Sequence, residues 1–134
     1  MSRKLDDLTS EFKPKVFELL ARMTERGFPV MIVDTLRTEA EHAANLAKGV
    51  SWTARSKHLP RKLRGWPASD VNAEKSDAVD LCPYDLWQAD GPDKLGWRVD
   101  HPAWPVLRDE AERLGLRSGA RWKQQDLGHV ENPV

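Results

Sequence analysis

Four histidines, at positions 42, 58, 101 and 129, are the scarce chemical resource of this chain. Imidazole together with one carboxylate is an ordinary donor set for a catalytic divalent ion, which takes three protein ligands and keeps one position open. His58 lies in a polar stretch after Ser56-Lys57, Asp80 on a short apolar run, and His129 near the C-terminus. Asp126 precedes His129 by three positions across a glycine, in Asp126-Leu-Gly-His129, a spacing that can bring a carboxylate beside a metal held by that histidine, where it can act as a general base. Taken singly, each residue also has a structural reading: a histidine in a loop can sit on the surface, and an aspartate can cap a turn. Cys82 is the only cysteine, so an intramolecular disulfide and multi-thiolate zinc sites are both excluded.

Elements must hold these groups in place. Leu5, Leu8, Phe12, Val16, Leu19, Leu20 and Met23 recur at three- and four-residue steps, which predicts an amphipathic helix whose start Pro14 can shift. Pro29 to Leu36 is β-branched and apolar enough for a buried strand. Thr38, with Glu41 three residues on, predicts a capping box for a helix running to about Lys48 and stopped by Gly49. Residues 51–76 show no period and read as a long loop. Asp77 to Cys82 reads as a short strand with Asp80 and Cys82 on one face, Pro102 to Leu114 as a helix, and 117–123 and 127–131 as two further strands. The sum is an α+β domain spanning 1–134, a small antiparallel sheet packed by helices.

Apolar residues make up 40% of the chain and charged residues 31%, and the 21 basic and 21 acidic side chains cancel. A nucleic-acid partner is not expected, because a phosphate-backbone binder normally carries a basic excess. The run Arg55, Lys57, Arg61, Lys62 and Arg64 is either a local basic patch or a solvated loop. The N-terminus lacks the apolar core of a secretory signal, and no stretch is long enough for a membrane helix, so synthesis in the cytoplasm without membrane insertion is expected.

Four short motifs occur in order: Thr35-Leu36-Arg37-Thr38, Ser56-Lys57-His58, Ala78-Val79-Asp80-Leu81, and Trp122 followed by Asp126-Leu-Gly-His129-Val-Glu131. Together they resemble the phage endolysin branch of the zinc D-Ala-D-Ala carboxypeptidase superfamily, the L-alanyl-D-glutamate peptidases, over about residues 29–131. The resemblance implies a DD-peptidase-like α+β fold, Zn2+ held by His58, Asp80 and His129, and Asp126 as catalytic base. It places Arg37 where an arginine binds or polarises the substrate, and Ser51, Ser56 and Trp122 where residues line the substrate groove. The implied partner is bacterial peptidoglycan, reached by a monomer made in a host cytoplasm once the membrane is breached. Action on D-Ala-D-Ala ends, or a non-catalytic zinc-containing wall-binding module, are the alternatives.

One feature departs from that pattern. Asp80 follows His58 by 22 positions, from 58 to 80, against about seven in the family's usual spacing, a tolerable difference because loop-closure entropy grows slowly with length. About fifteen extra residues, roughly Pro60 to Lys75, must loop out, and with Trp66 and their basic side chains they are expected to rim the groove. The insertion also makes Asp70 and Asp77 competitors of Asp80; the Ala-Val-Asp-Leu match favours Asp80. His42 is expected on or against its helix, His101 as a structural residue at a helix start, and one or two of the six tryptophans as platforms for sugar rings.

Overall fold

Helix α1 spans Lys13–Glu25 and begins one residue before Pro14. This corrects the expectation of a helix from Leu5, and the reason is local. A proline ring in a helix interior clashes with the carbonyl four residues back and removes a donor, but both costs vanish in the first turn. The preceding residues instead form a 3-10 turn at Leu5–Asp7 and a single parallel bridge from Leu8 to Ser76. Phe12, Val16, Leu19 and Met23 still form one fully buried stripe, each contributing about 1.5–3 kcal/mol by leaving water.

The computed structural model describes residues 2–49, 56–86 and 94–134. Strand β1 covers Val30–Asp34, and α2 covers Glu39–Ala47 with the expected reciprocal capping box of Thr38 and Glu41. Strand β2 is Ala78–Pro83 and helix α3 is Ala103–Arg113. Strand β3 is only Arg117–Ser118, because the chain turns into a 3-10 segment at Gly119–Arg121; β4 is His129–Glu131. The strands expected at 117–123 and 127–131 are therefore real but shorter. Their shared turn is tight: a Cβ on Gly119 would lie 2.4 Å from the Asp126 carbonyl oxygen.

The four strands form one antiparallel sheet in the order β1-β2-β4-β3. Strand β2 is central, flanked by β1 and β4, and its side chains are buried on both faces except for partly exposed Asp80. Val79, Leu81, Cys82 and Val130 join Leu107, Ala111 and the α1 stripe in the apolar core, so α1 and α3 cover one side of the sheet. The fold is α+β, with a small antiparallel sheet packed by helices.

The stretch read as a long loop is more ordered where it is described. Arg61–Arg64 forms a 3-10 turn closed by Gly65 in the left-handed region, at φ 92°. Arg61 is buried, with its Nε 2.7 Å and Nη2 3.0 Å from the two oxygens of Asp77, and Arg64 Nη2 reaches Asp77 at 2.7 Å. Thr9 Oγ1 and Asn132 Nδ2 donate to the same carboxylate. Trp66 stacks on the Arg61 guanidinium at 4.0 Å, and Arg61 also pairs with Glu11. The insertion thus docks on the N-terminal segment through an arginine–carboxylate cluster, rather than offering these basic groups as a rim. The basic patch dissolves for the same reason: Lys57 pairs with Glu131 and Lys62 with Glu74, while Arg55 lies outside the described residues.

Candidate metal centre

Three carboxylate or imidazole residues lie in a row across the sheet. Asp80 on β2 faces His129 on β4 and Asp34 on β1 as direct cross-strand partners. Gly128 allows β4 to approach: a Cβ there would meet the Leu81 carbonyl at 2.2 Å, and its own carbonyl accepts the Leu81 N–H at 2.9 Å. His58 enters from the insertion's leading edge. Its carbonyl accepts the Arg37 N–H at 2.9 Å, and its ring Nδ1 lies 2.8 Å from the Thr35 carbonyl oxygen.

The backbone carbonyl can only accept, so Nδ1 carries a proton and Nε2 is the ring nitrogen left to face Asp80 and His129. That Nε2 is buried and makes no hydrogen bond among the described residues. It lies 3.1 Å from Asp80 Oδ1, and the same oxygen is 3.2 Å from His129 Nδ1. Donor atoms of His58, Asp80 and His129 all fall within 4.8 Å of one another. A buried ring nitrogen beside a carboxylate oxygen and a second imidazole is a donor set that could hold a metal ion.

His129 is oriented in the same manner from behind. Its Nε2 lies 2.9 Å from Glu131 Oε1, and Glu131 Oε2 pairs with Lys57 Nζ at 3.1 Å. Carboxylate support for the outer nitrogen of a ligating histidine is the usual way its ring is held and its basicity raised. Without an ion, burial works against charge on His129, but hydrogen bonds to Asp80 and Glu131 outweigh it and push the imidazole up to about 9. Burial would raise Asp80, yet the two histidines hold it well below the ordinary carboxylate range. Glu131 is likewise lowered, because His129 and Lys57 overcome its burial.

Asp126 begins the turn into β4, and its carbonyl accepts the His129 N–H at 3.2 Å. Burial and the Asp80 charge raise its carboxyl above the usual range, and it senses His129, His58 and Arg37 as well. It therefore shares one electrostatic neighbourhood with all three donors. Trp122, exposed, lies against the His129 ring with centroids 4.7 Å apart. Arg37 places Nε 2.5 Å from Asp34 Oδ2 and Nη2 3.3 Å from Asp80 Oδ2.

Of the residues named from sequence, His58, Asp80 and His129 converge, and Arg37, Asp126 and Trp122 surround them. Ser56 is buried, and its hydroxyl accepts the His58 N–H at 3.2 Å, which gives it a part in shaping the His58 loop. Ser51 lies outside the described residues. Asp77 is excluded as a ligand because both its oxygens are consumed by arginines, Thr9 and Asn132, and Asp70 caps its own turn through the Asn72 N–H. His101 is structural: Nε2 lies 2.8 Å from Asp85, and Nδ1 accepts the Ala103 N–H at the start of α3. His42 is buried on α2, and Cys82 is part of the apolar core. Trp104 is buried, Trp66 is occupied by Arg61, and Trp52 and Trp87 lie outside the described residues.

Sequence reasoning gave Asp34, Thr35 and Lys57 no individual part at this site, although Thr35 and Lys57 fall within its motifs. Asp34 did carry a signal, since it ends an apolar run much as Asp80 interrupts one, and a buried carboxylate requires a partner. Thr35 acts through its carbonyl, which side-chain chemistry cannot reveal.

No family model and no curated protein matches the chain. Four solved chains match it in structure. One is the Serratia marcescens L-Ala D-Glu endopeptidase ChiX, with a TM-score of 0.60 and 20% sequence identity over 95% of this chain and 81% of that one. At that identity the likeness is one of fold.

Proposed function

We propose that this chain is a zinc-dependent peptidase of the bacterial cell wall, hydrolysing the L-alanyl-D-glutamate bond of peptidoglycan stem peptides. The observation that carries the reading is the buried Nε2 of His58, left without a hydrogen bond and aimed at Asp80 and His129. The ordered motifs and the fold shared with an L-Ala D-Glu endopeptidase support the substrate assignment. A phage-type lysin that acts as a monomer once the membrane is breached is the form of this reading that the motif resemblance suggests; among the described residues no helix is long and apolar enough to cross a membrane.

In this reading His58, Asp80 and His129 would hold the ion, with His58 Nε2, Asp80 Oδ1 and His129 Nδ1 the atoms turned toward one another. Zinc bound there supplies Lewis acidity and a water of lowered pKa. Asp126 takes the proton from the attacking water on its carboxylate as the new C–O bond forms. It returns that proton to the departing nitrogen as the C–N bond breaks, so the carboxylate is regenerated. Arg37 has two donors committed to Asp34 and Asp80; its Nη1 is assigned to the substrate, at a carboxylate or the scissile carbonyl oxygen. Trp122, beside His129, walls the groove, and Ser51 and Ser56 belong to the loop that borders it.

The test is mass spectrometry of purified peptidoglycan digested by the zinc-loaded protein, beside a chelator-treated control. A new N-terminal D-glutamate that disappears on chelation is expected. Release of D-alanine would move the cut to D-Ala-D-Ala ends, and intact wall from several chemotypes would leave only a zinc-containing binding module.

A further inference from the structure

Asp34 has no part in the ligand set, yet its placement is costly. Strand register slips between Ile32 and Asp34, so that Val33 is an extra residue and Asp34 comes directly opposite Asp80. Bulges of this kind re-aim side chains, here setting two carboxylates face to face. Like charges at directly opposed positions destabilise a sheet. Asp34 is also 3% exposed, and its Oδ1 has no hydrogen-bond partner among the described residues. Such a buried, half-satisfied carboxylate is retained at a loss unless it does something for the site.

Its one strong contact indicates what that is. Asp34 Oδ2 receives Arg37 Nε at 2.5 Å, while Arg37 Nη2 sits 3.3 Å from Asp80 Oδ2. The two Asp80 oxygens are thereby given different partners: Oδ1 faces His58 Nε2 and His129 Nδ1, and Oδ2 faces the guanidinium. The planar fork of arginine is what lets one carboxylate fix its direction toward another. Thr35, next in sequence, holds the His58 ring through its carbonyl, so the end of β1 orients two of the three ion-binding residues.

We infer that Asp34 is a positioning residue, which locks Arg37 against Asp80 Oδ2 so that Asp80 offers only Oδ1 to the ion and a coordination position stays open for water or substrate. This rests on the zinc-centre reading above. Asp34 touches no substrate; it acts through Arg37.

Cobalt(II) replacement tests the inference, because the visible d–d bands of cobalt weaken as coordination number rises, whatever the catalytic rate. Cobalt is titrated into metal-free wild type, Asp34→Asn, Arg37→Gln and the double variant, with circular dichroism confirming the fold. The expected result is a weaker, shifted band in Asp34→Asn and about 10–100-fold looser cobalt binding, the usual effect of losing an outer-sphere partner. Arg37→Gln should move the band in the same direction, and adding Asp34→Asn to it should move the band no further. A folded Asp34→Asn protein with the wild-type band and affinity would overturn the inference while leaving the metal centre standing. If Asp34→Asn does not fold, Arg37→Gln decides alone, since an unchanged band there contradicts a locked Asp80. Wild type that binds no cobalt would overturn both the inference and the reading beneath it.

Discussion

Glu131 Oε1 lies 2.9 Å from Nε2 of His129, on the side of the ring away from Asp80. The contact turns Nε2 of His129 toward Glu131 and leaves Nδ1 facing Asp80, the side on which the proposed ion would bind. Glu131→Gln should therefore retain the fold but bind zinc about 10–100-fold more weakly in a chelator-competition assay. Unchanged affinity would make Glu131 merely a partner for Lys57.

Metal binding should be proton-coupled. Without an ion His129 is raised to about 9, so at neutral pH it carries a proton that a metal must displace. Zinc affinity is expected to rise with pH until about 9, with about one proton released per ion near pH 7. Calorimetry in buffers of different ionisation enthalpy reads that proton directly; a pH-independent affinity would contradict the His129 environment described above.

Asp126→Asn should keep zinc and lose wall hydrolysis by about 10²–10⁴-fold, the ordinary worth of a general base. Because burial and Asp80 raise its carboxyl, the acid limb of kcat/KM should lie above the normal aspartate range, with activity falling as Asp126 gains its proton. A variant as active as wild type would remove Asp126 from the reaction.

Asp77 serves stability rather than chemistry. Burial opposes its charge, but Arg61, Arg64, Asn132 and Thr9 prevail and lower it from 3.8 to about 2. A carboxylate depressed on folding stabilises above its unfolded value, and the contribution disappears as pH falls from about 4 through 2. That depression corresponds to about 2–3 kcal/mol. Asp77→Ala should cost more, about 3–5 kcal/mol in urea unfolding, because it strands two buried arginines. A loss below about 1 kcal/mol would show that the cluster contributes little.

Much of this was legible in the residues. The capping box of Thr38 and Glu41, the α1 stripe and the apolar β2 run follow from periodicity and local chemistry, and the ordered motifs brought together His58, Asp80 and His129, which stand 22 and 49 positions apart in succession. What escaped depended on contacts distant in sequence. Arg61 and Arg64 read as a solvated basic run because nothing local reveals that Asp77 will neutralise them. The apolar spacing reaches back to Leu5, and Pro14, which can shift the start of α1, does set it at Lys13. Asp34 was hidden by a one-residue slip in strand register, which no periodicity records.

The most direct test of the central claim is a titration of zinc into the metal-free protein, with new amino termini on peptidoglycan as the readout. Hydrolysis should rise linearly to a break at one zinc per chain, and His58→Ala, which removes the buried Nε2, should abolish both the break and the activity. Hydrolysis that persists without metal, or survives His58→Ala undiminished, would contradict a catalytic centre built on His58, Asp80 and His129.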